Sequence, residues 1–285
     1  MDQKMVDIYK EYTDGLLGRR EFIKKLSLIT GGTASVLALL PLLENDNAHA
    51  EIISKDDPRL DTAYIQYPGE TGEVRAYLAK PKGDAKLPAV IVIHENRGLN
   101  PHIEDVTRRM ALEGFLALGP DALSPLGGTP ADANEAGSLL GKLDSESTIK
   151  NFVAAVQYLK THPLSTGKVG CTGFCWGGGM TNQVAVRSPD LLAAVPYYGS
   201  QPAVEDVPKI KASLLLQYAG TDERINAGIP AFEEALKKAS IEYTIYMYEG
   251  AGHAFNNDTG TRYNKEAAEL AWQRTVAFFK EKLKT

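Results

Sequence analysis

The feature that most constrains the fold is a glycine-rich turn, residues 173–177 (GFCWG), between two elements of different type. The apolar run 168–172 before it predicts a buried strand, and residues 180–186 after it predict a helix. Small residues on either side of Cys175 keep so sharp a turn free of clashes while Cys175 adopts a strained conformation. The pattern predicts an exposed thiol faced by the first N–H groups of the helix. The alternative is a buried cysteine in a glycine-rich connection.

Two further polar residues follow predicted strands later in the chain. The apolar run 212–218 leads into a turn that contains Asp222, and the alternating run 241–248 leads into a loop that contains His253. The carboxyl ends of parallel strands meet at one edge of a sheet. A nucleophilic thiol needs a base, and the base needs an orienting acid. We therefore predict a site of Cys175, Asp222 and His253; alternatively, the aspartate only forms a turn and the histidine is a surface residue.

Strands and helices alternate from residue 51 onward. The first two predicted strands form an antiparallel pair, and the continuous apolar run 88–93 is typical of a central parallel strand. The alternation predicts one α/β domain with a mostly parallel central sheet and helices on both faces. The predicted strands are 63–67, 74–79, 88–93, 115–119, 168–172, 195–199, 212–218 and 241–248. The predicted helices are 101–113, 148–160, 180–186, 229–238 and 263–283.

Residues 120–141 form a long connection rich in Gly, Pro and Ala. Connections of this length without secondary structure are uncommon in compact domains and are frequently functional. We expect this segment to be a loop that roofs the site.

Composition narrows the classes of function. The chain has 285 residues, of which 44% are hydrophobic, and this suits a domain with a large core. The net charge is −5 and no basic patch stands out, so we expect no nucleic-acid partner. The two cysteines, Cys171 and Cys175, flank one strand end and are poorly placed for a disulfide. No histidine or cysteine cluster has metal-ligand spacing, so we expect neither metal nor cofactor.

The first 50 residues differ from the rest and predict a leader. A twin-arginine export pattern at 18–25 precedes the uncharged stretch 26–43, and residues 48–50 form an A-x-A cleavage pattern. We expect cleavage after Ala50, a leader of residues 1–50 and a mature domain of residues 51–285 in the periplasm, without stable membrane association. The alternatives are a membrane anchor, which Gly31, Gly32 and Pro41 weaken, or a core helix; an uncleaved chain would be cytoplasmic or membrane-anchored.

The chain resembles the dienelactone hydrolase (carboxymethylenebutenolidase) family of α/β-hydrolases over residues 64–283. Five motifs in order carry the resemblance: 94–99 (HENRGL), 119–121 (GPD), 173–178 (GFCWGG), 219–222 (AGTD) and 248–255 (YEGAGHAF). The resemblance implies an α/β-hydrolase fold and hydrolysis of a lactone or small carboxylic ester. The family's triad maps onto Cys175, Asp222 and His253, with an acyl-thioester intermediate.

The resemblance also implies roles for residues around the thiol. In the family, a glutamate at the position of Glu95 contacts the resting nucleophile and helps to activate it when substrate binds. The donors to the oxyanion would be the N–H of Trp176 and one N–H from the Glu95–Asn96 loop. The alternative for Glu95 is a loop residue bonded to backbone N–H groups.

This sequence departs from the family in its arginines. Members that act on dienelactone hold the substrate carboxylate with two arginines. The position four residues after the histidine is Asn257 here, and residues 127–151 contain no arginine. The natural substrate therefore stays open. Other candidates for substrate contact, each alternatively a surface charge or a core residue, are Arg97, Tyr198, Arg224 and Arg262.

Two other classes of function stay open at this point. A thiol-dependent enzyme could cut amide or peptide bonds, and an α/β-hydrolase fold could serve as a non-catalytic binding protein. The intact set of Cys175, Asp222 and His253 argues against the binding protein, because binding does not require all three. The expected partner is a small ester or lactone, and the sequence does not set the oligomeric state.

Overall fold

The structure is a computed structural model that describes residue 8, residues 19–30 and residues 51–284. Helix α1 spans Arg19–Thr30 and begins at the arginine pair of the predicted leader. Apart from residue 8, the rest of the predicted leader, including its cleavage pattern at 48–50, lies outside the described residues. The chain forms two compact units. The larger comprises Glu51–His253 and the residues from Glu269 onward, and the smaller comprises Ala254–Ala268 and the described residues before Glu51.

Eight strands form one sheet in the order β1-β2-β4-β3-β5-β6-β7-β8. Strand β1 pairs with β2, and β2 with β4, in antiparallel fashion, whereas every other neighbouring pair is parallel. This confirms the predicted α/β fold class with its antiparallel entry pair. The strands are β1 Leu60–Gly69, β2 Gly72–Pro81, β3 Leu87–Ile93, β4 Leu116–Pro120, β5 Ser165–Phe174, β6 Ala193–Tyr197, β7 Ser213–Ala219 and β8 Tyr243–Tyr248.

Helices connect the strands. They are α2 Pro101–Leu112, α3 Ala133–Leu140, α4 Ser145–Thr161, α5 Trp176–Arg187, α6 Glu223–Asn226, α7 Ile229–Lys238 and α8 Lys265–Lys282, with 3₁₀ turns at Ser124–Leu126 and Val204–Lys209. Polar caps fix their starts: the side chains of Asn100 and Asp144 accept N–H bonds at the first turns of α2 and α4. Among the described helices, none combines the length and apolar character needed to cross a bilayer.

The core is deepest at strand β3. All five residues from Ala89 to Ile93 have no exposed surface. Successive strand residues point to opposite faces, so both faces of the sheet are covered there. This explains the continuous apolar run in the sequence and places the carboxyl end of β3 in the interior of the sheet.

The connection at 120–141 is more ordered than the sequence predicted. It contains a 3₁₀ turn and helix α3, which the side chain of Asp132 caps. The Asp121 carboxylate accepts bonds from the N–H of Leu123 (3.0 Å) and from the N–H (2.8 Å) and hydroxyl (2.7 Å) of Thr129. The expectation of an irregular loop was wrong because these bonds depend on contacts that composition does not reveal.

A buried charged pair ties the start of the larger unit to α2. The Asp105 carboxylate accepts the N–H groups of Ile52 (3.1 Å) and Ile53 (2.8 Å). Arg108 has no exposed surface, and its Nε donates to the carbonyl of Ile53 (2.7 Å) while Nη1 donates to the hydroxyl of Tyr77 (3.1 Å). Buried charges are tolerated when they are paired and hydrogen-bonded in this way.

Candidate active site

Cys175 lies in the turn between β5 and α5, in a conformation that few residues adopt. Its φ is 56° and its ψ is −114°, outside the regions that suit a residue with a side chain. Backbone bonds hold it there: its N–H donates to the carbonyl of Tyr197 (3.1 Å), and its carbonyl accepts the N–H of Gly179 (3.1 Å). The strained turn that the sequence predicted is present, and strain of this kind is typical of functional sites.

Two glycines allow the turn because other backbone comes very close to them. A Cβ atom on Gly173 would lie 2.3 Å from the carbonyl oxygen of Gly177. A Cβ atom on Gly177 would lie 2.3 Å from the carbonyl oxygen of His94, at the end of β3. Both separations are far below any normal contact, so the glycine spacing around Cys175 follows from close packing of α5 against the strand ends.

The structure brings the three predicted side chains together. Asp222 follows β7 and its Oδ2 lies 2.5 Å from Nδ1 of His253, which follows β8. The other imidazole nitrogen, Nε2, lies 3.0 Å from Sγ of Cys175. An imidazole that donates from Nδ1 to a carboxylate presents Nε2 to the sulfur as a proton acceptor. This chain of contacts can take a proton from the thiol and stabilise the resulting charge on the imidazole.

The two loops that carry Asp222 and His253 are bonded to each other. The N–H and the hydroxyl of Thr221 both donate to the carbonyl of Ala251, each at 3.1 Å. The fully buried ring of Tyr198 lies 5.1 Å from the imidazole. Tyr198 therefore packs against His253, and its burial does not fit the predicted contact with substrate.

The loop after β3 brings Glu95 and Asn96 to the same edge of the sheet. Glu95 is only 9% exposed, whereas Asn96 is exposed. The preceding residue, His94, is fully buried, and its ring stacks on the indole of Trp176 with 5.3 Å between centroids. Sequence reasoning treated His94 only as part of a motif, because nothing in its local pattern indicates the ring contact.

Hydrogen bonds fix the tautomer of His94. The N–H of Ala122 donates to its Nε2 (3.2 Å), so Nδ1 carries the proton and donates to the carbonyl of Glu95 (2.7 Å). Burial lowers the pKa of His94 below its ordinary value, which favours this neutral form. His94 thereby links the loops that follow β3 and β4.

Three arginines remain among the predicted contacts with substrate. Arg97 is exposed and lines a cavity of about 390 Å³ together with Arg75 and Glu104. Among the described residues that line this cavity, none belongs to the predicted triad. Arg224 is exposed at the start of α6, and Arg262 belongs to the smaller unit.

The second thiol, Cys171, differs sharply from the first. It is fully buried in β5, is not in a disulfide, and burial raises its pKa to about 12. A thiol with so high a pKa stays protonated near neutral pH, whereas the thiolate is the reactive form. Cys171 is therefore a core residue, and Cys175 alone has partial access to solvent.

Comparison with known proteins assigns the chain to a family. The model of the dienelactone hydrolase family matches residues 74–283. The chain belongs to this family. It is 35% identical over 254 residues to the "Putative carboxymethylenebutenolidase" of Saccharolobus solfataricus, covering 76% of this chain and 97% of the relative. The relative of the same name in Escherichia coli K12 is 33% identical over 247 residues, covering 81% and 90%.

Solved structures of the same family share the fold of this chain. The crystal structure of a "Putative Dienelactone Hydrolase" from Klebsiella pneumoniae matches with a TM-score of 0.70 and 29% identity, covering 78% of this chain and 99% of the other. Dienelactone hydrolases have the α/β-hydrolase fold, so the fold that the sequence predicted is confirmed. As a member of the dienelactone hydrolase family, the chain is a hydrolase.

Proposed function

We propose that this hydrolase cleaves a lactone or small carboxylic ester through an acyl-thioester on Cys175. The observation that carries the proposal is the contact chain from Sγ through His253 to Asp222, with separations of 3.0 Å and 2.5 Å. A nucleophile, a base and an orienting acid within hydrogen-bond reach are the parts that covalent acyl transfer requires.

In the first half of the reaction, His253 takes the thiol proton and the thiolate attacks the carbonyl carbon. The N–H groups of Trp176 and Asn96 donate to the oxyanion that forms. Trp176 is the first residue of α5, and the first N–H groups of a helix have no partner within it. The intermediate then collapses: the carbon–oxygen bond breaks, and the imidazolium gives its proton to the leaving oxygen.

In the second half, water hydrolyses the thioester. His253 takes a proton from water, the hydroxide attacks the acyl carbon, and the carbon–sulfur bond breaks. The thiolate regains a proton from the imidazolium, and Asp222 holds the ring in one tautomer throughout. In these steps every proton moves between the sulfur, His253, water and the leaving oxygen, so the reaction as written needs no cofactor.

Glu95 is a second acceptor for the thiol proton in this proposal. Its position beside the fully buried His94 and its low exposure support a carboxylate at the wall of the site. The separation of 3.0 Å from sulfur to imidazole makes His253 the acceptor in the arrangement described. Glu95 would accept the proton in a resting state in which the thiol turns away from His253.

Lactones and small esters without a carboxylate are the substrates we propose. The family position four residues after the histidine is Asn257, and residues 127–151 contain no arginine. These two facts remove the paired guanidinium groups that a dienelactone carboxylate would need.

The test is turnover of p-nitrophenyl acetate and a lactone panel by the full chain. We expect Cys175→Ala to lower kcat by about a thousandfold or more, because removing a triad nucleophile has effects of this size. The matched control is Cys171→Ala, which removes the buried thiol and leaves activity intact. Wild-type turnover by Cys175→Ala would contradict the proposal. Amide turnover without ester turnover would favour a peptide hydrolase, and absence of turnover together with an unreactive Cys175 would favour a binding protein.

A further inference from the structure

We propose that His94 is a positioning residue that sets the separation of the two backbone amides of the oxyanion site. The inference rests on the proposed function, because it assigns a role in stabilising the acyl-transfer oxyanion. Its basis is geometric: one buried ring and its own carbonyl contact the residues on both sides of that site.

The first contact orients the peptide between Glu95 and Asn96. Nδ1 of His94 donates to the carbonyl of Glu95 at 2.7 Å. The described chain contains no cis peptide bond, so this peptide is trans, and its C=O and N–H point in opposite directions. Fixing the Glu95 carbonyl toward the imidazole therefore fixes the N–H of Asn96 on the opposite side of the peptide, where it is free of the imidazole.

The second contact locates the other amide. The ring of His94 stacks on the indole of Trp176 with an angle of 12° between the planes. The carbonyl oxygen of His94 lies against Gly177 so closely that a Cβ atom there would be 2.3 Å away. His94 thus holds the first turn of α5, and the N–H of Trp176 with it, against the end of β3.

The third contact anchors the ring itself. The N–H of Ala122, in the segment after β4, donates to Nε2 at 3.2 Å. With both nitrogens bonded and no exposed surface, the imidazole has one tautomer and one orientation. Burial also lowers the pKa of His94, which keeps the ring neutral.

Two amide variants separate these contacts. In His94→Asn, the side-chain NH₂ lies where Nδ1 was and can donate to the Glu95 carbonyl, but cannot reach Ala122. In His94→Gln, the amide can reach the N–H of Ala122 but lacks the donor near Glu95. Both lose the aromatic ring equally. We expect His94→Gln to lower the acylation rate with p-nitrophenyl acetate by about tenfold to a hundredfold, with a smaller loss for His94→Asn, since one oxyanion donor matters by about a hundredfold or more.

The discriminating control is alkylation of Cys175 by iodoacetamide. Alkylation needs the thiolate but forms no oxyanion, so the proposal predicts an unchanged alkylation rate in both variants. The proposal is supported if His94→Gln loses acylation but keeps its alkylation rate, and if His94→Asn restores acylation. Parallel loss of acylation and alkylation overturns it, because His94 would then act on the thiol or on folding. Equal acylation by wild type and His94→Gln also overturns it.

A measurement on the unmodified chain covers the case in which a variant does not fold. Nitrogen-15 chemical shifts of His94 report which ring nitrogen carries the proton. A proton on Nδ1 supports the proposal, and a proton on Nε2 overturns it, because the bond to the Glu95 carbonyl would not exist. Different results contradict the two proposals. Turnover by Cys175→Ala would contradict the proposed function. An inactive Cys175→Ala together with a fully active His94→Gln would contradict only the role of His94.

Discussion

Two residues at the ends of neighbouring strands, Cys175 and Tyr198, have positive φ values of 56° and 37°. Tyr198 packs against His253, and the N–H of Cys175 is bonded to the residue before Tyr198. Strain at single residues persists only where the surroundings enforce it. At the scale of residues, the site is therefore held by backbone conformation at the strand ends as much as by the polar side chains.

The two thiols give a prediction at this scale. Burial raises the pKa of Cys171 to about 12, so its thiol stays protonated at pH 8. The Cys171 thiolate forms only as the pH approaches 12. Iodoacetamide should label one thiol in the native chain at pH 8 and both in denaturant, as counted by intact mass. The Cys171→Ala variant should take up one label both in the native state and in denaturant. Equal labelling rates for both thiols in the native chain would contradict the buried placement of Cys171.

At the scale of elements, the tight start of α5 sets the active-site geometry. The helix begins at Trp176, directly after the cysteine, and its second residue lies against the carbonyl of His94. No residue larger than glycine fits between them without moving the helix. The position of the first turn, and so of its free N–H groups, depends on this contact.

Gly177→Ala tests that dependence. The added methyl group would force α5 away from β3, so we expect a loss of about 1–3 kcal/mol in the free energy of unfolding, as for other overpacked sites. Ester turnover should fall as well. Gly137→Ala in α3 is the matched control: its Cβ would lie 3.5 Å from the nearest backbone oxygen, and we expect a gain of about 0.5–1 kcal/mol. Urea unfolding of both variants measures the difference, and equal stabilities would contradict the account of α5.

The same scale shows what the sequence could predict. The buried strands were predictable because continuous apolar runs mark strands covered on both faces. Cys175 and Asp222 follow apolar runs, and His253 follows the alternating run 241–248. Helix α3 was not predictable, because it spans only eight residues with a glycine in the middle; the cap by Asp132 and the burial of Ala136 and Leu140 become visible only in the fold. The role of His94 was equally hidden, since its partners come from three separate elements.

At the scale of the whole molecule, the buried pair of Asp105 and Arg108 connects residues 51–53 to helix α2. The residues it holds, Ile52 and Ile53, are the second and third residues after the predicted cleavage point. We propose that the leader directs export and that the exported chain begins at Glu51, which leaves this attachment intact.

Asp105→Asn tests the attachment. The variant removes the carboxylate charge beside Arg108 and Arg109 and leaves one oxygen to accept the N–H groups of Ile52 and Ile53, while Glu51 still pairs with Arg108 at 3.3 Å. We therefore expect a loss of about 1–3 kcal/mol in the free energy of unfolding. Glu146→Gln breaks an exposed ion pair with Arg187 and should cost about 1 kcal/mol or less. Urea unfolding of the full chain compares the two. Equal costs would show that the buried pair contributes no more than a surface pair.

The acyl-enzyme tests the central claim most directly. In a Cys171→Ala, His253→Asn chain, Cys175 is the only thiol. A mildly alkaline buffer takes its proton in place of His253, so an activated ester still acylates it, while the thioester lacks the base that activates water. After mixing with p-nitrophenyl acetate and quenching with acid, mass spectrometry of the peptides locates the acetyl group. The account predicts one acetyl group per chain on Cys175. An acetyl group on another residue, or none on Cys175, would contradict it.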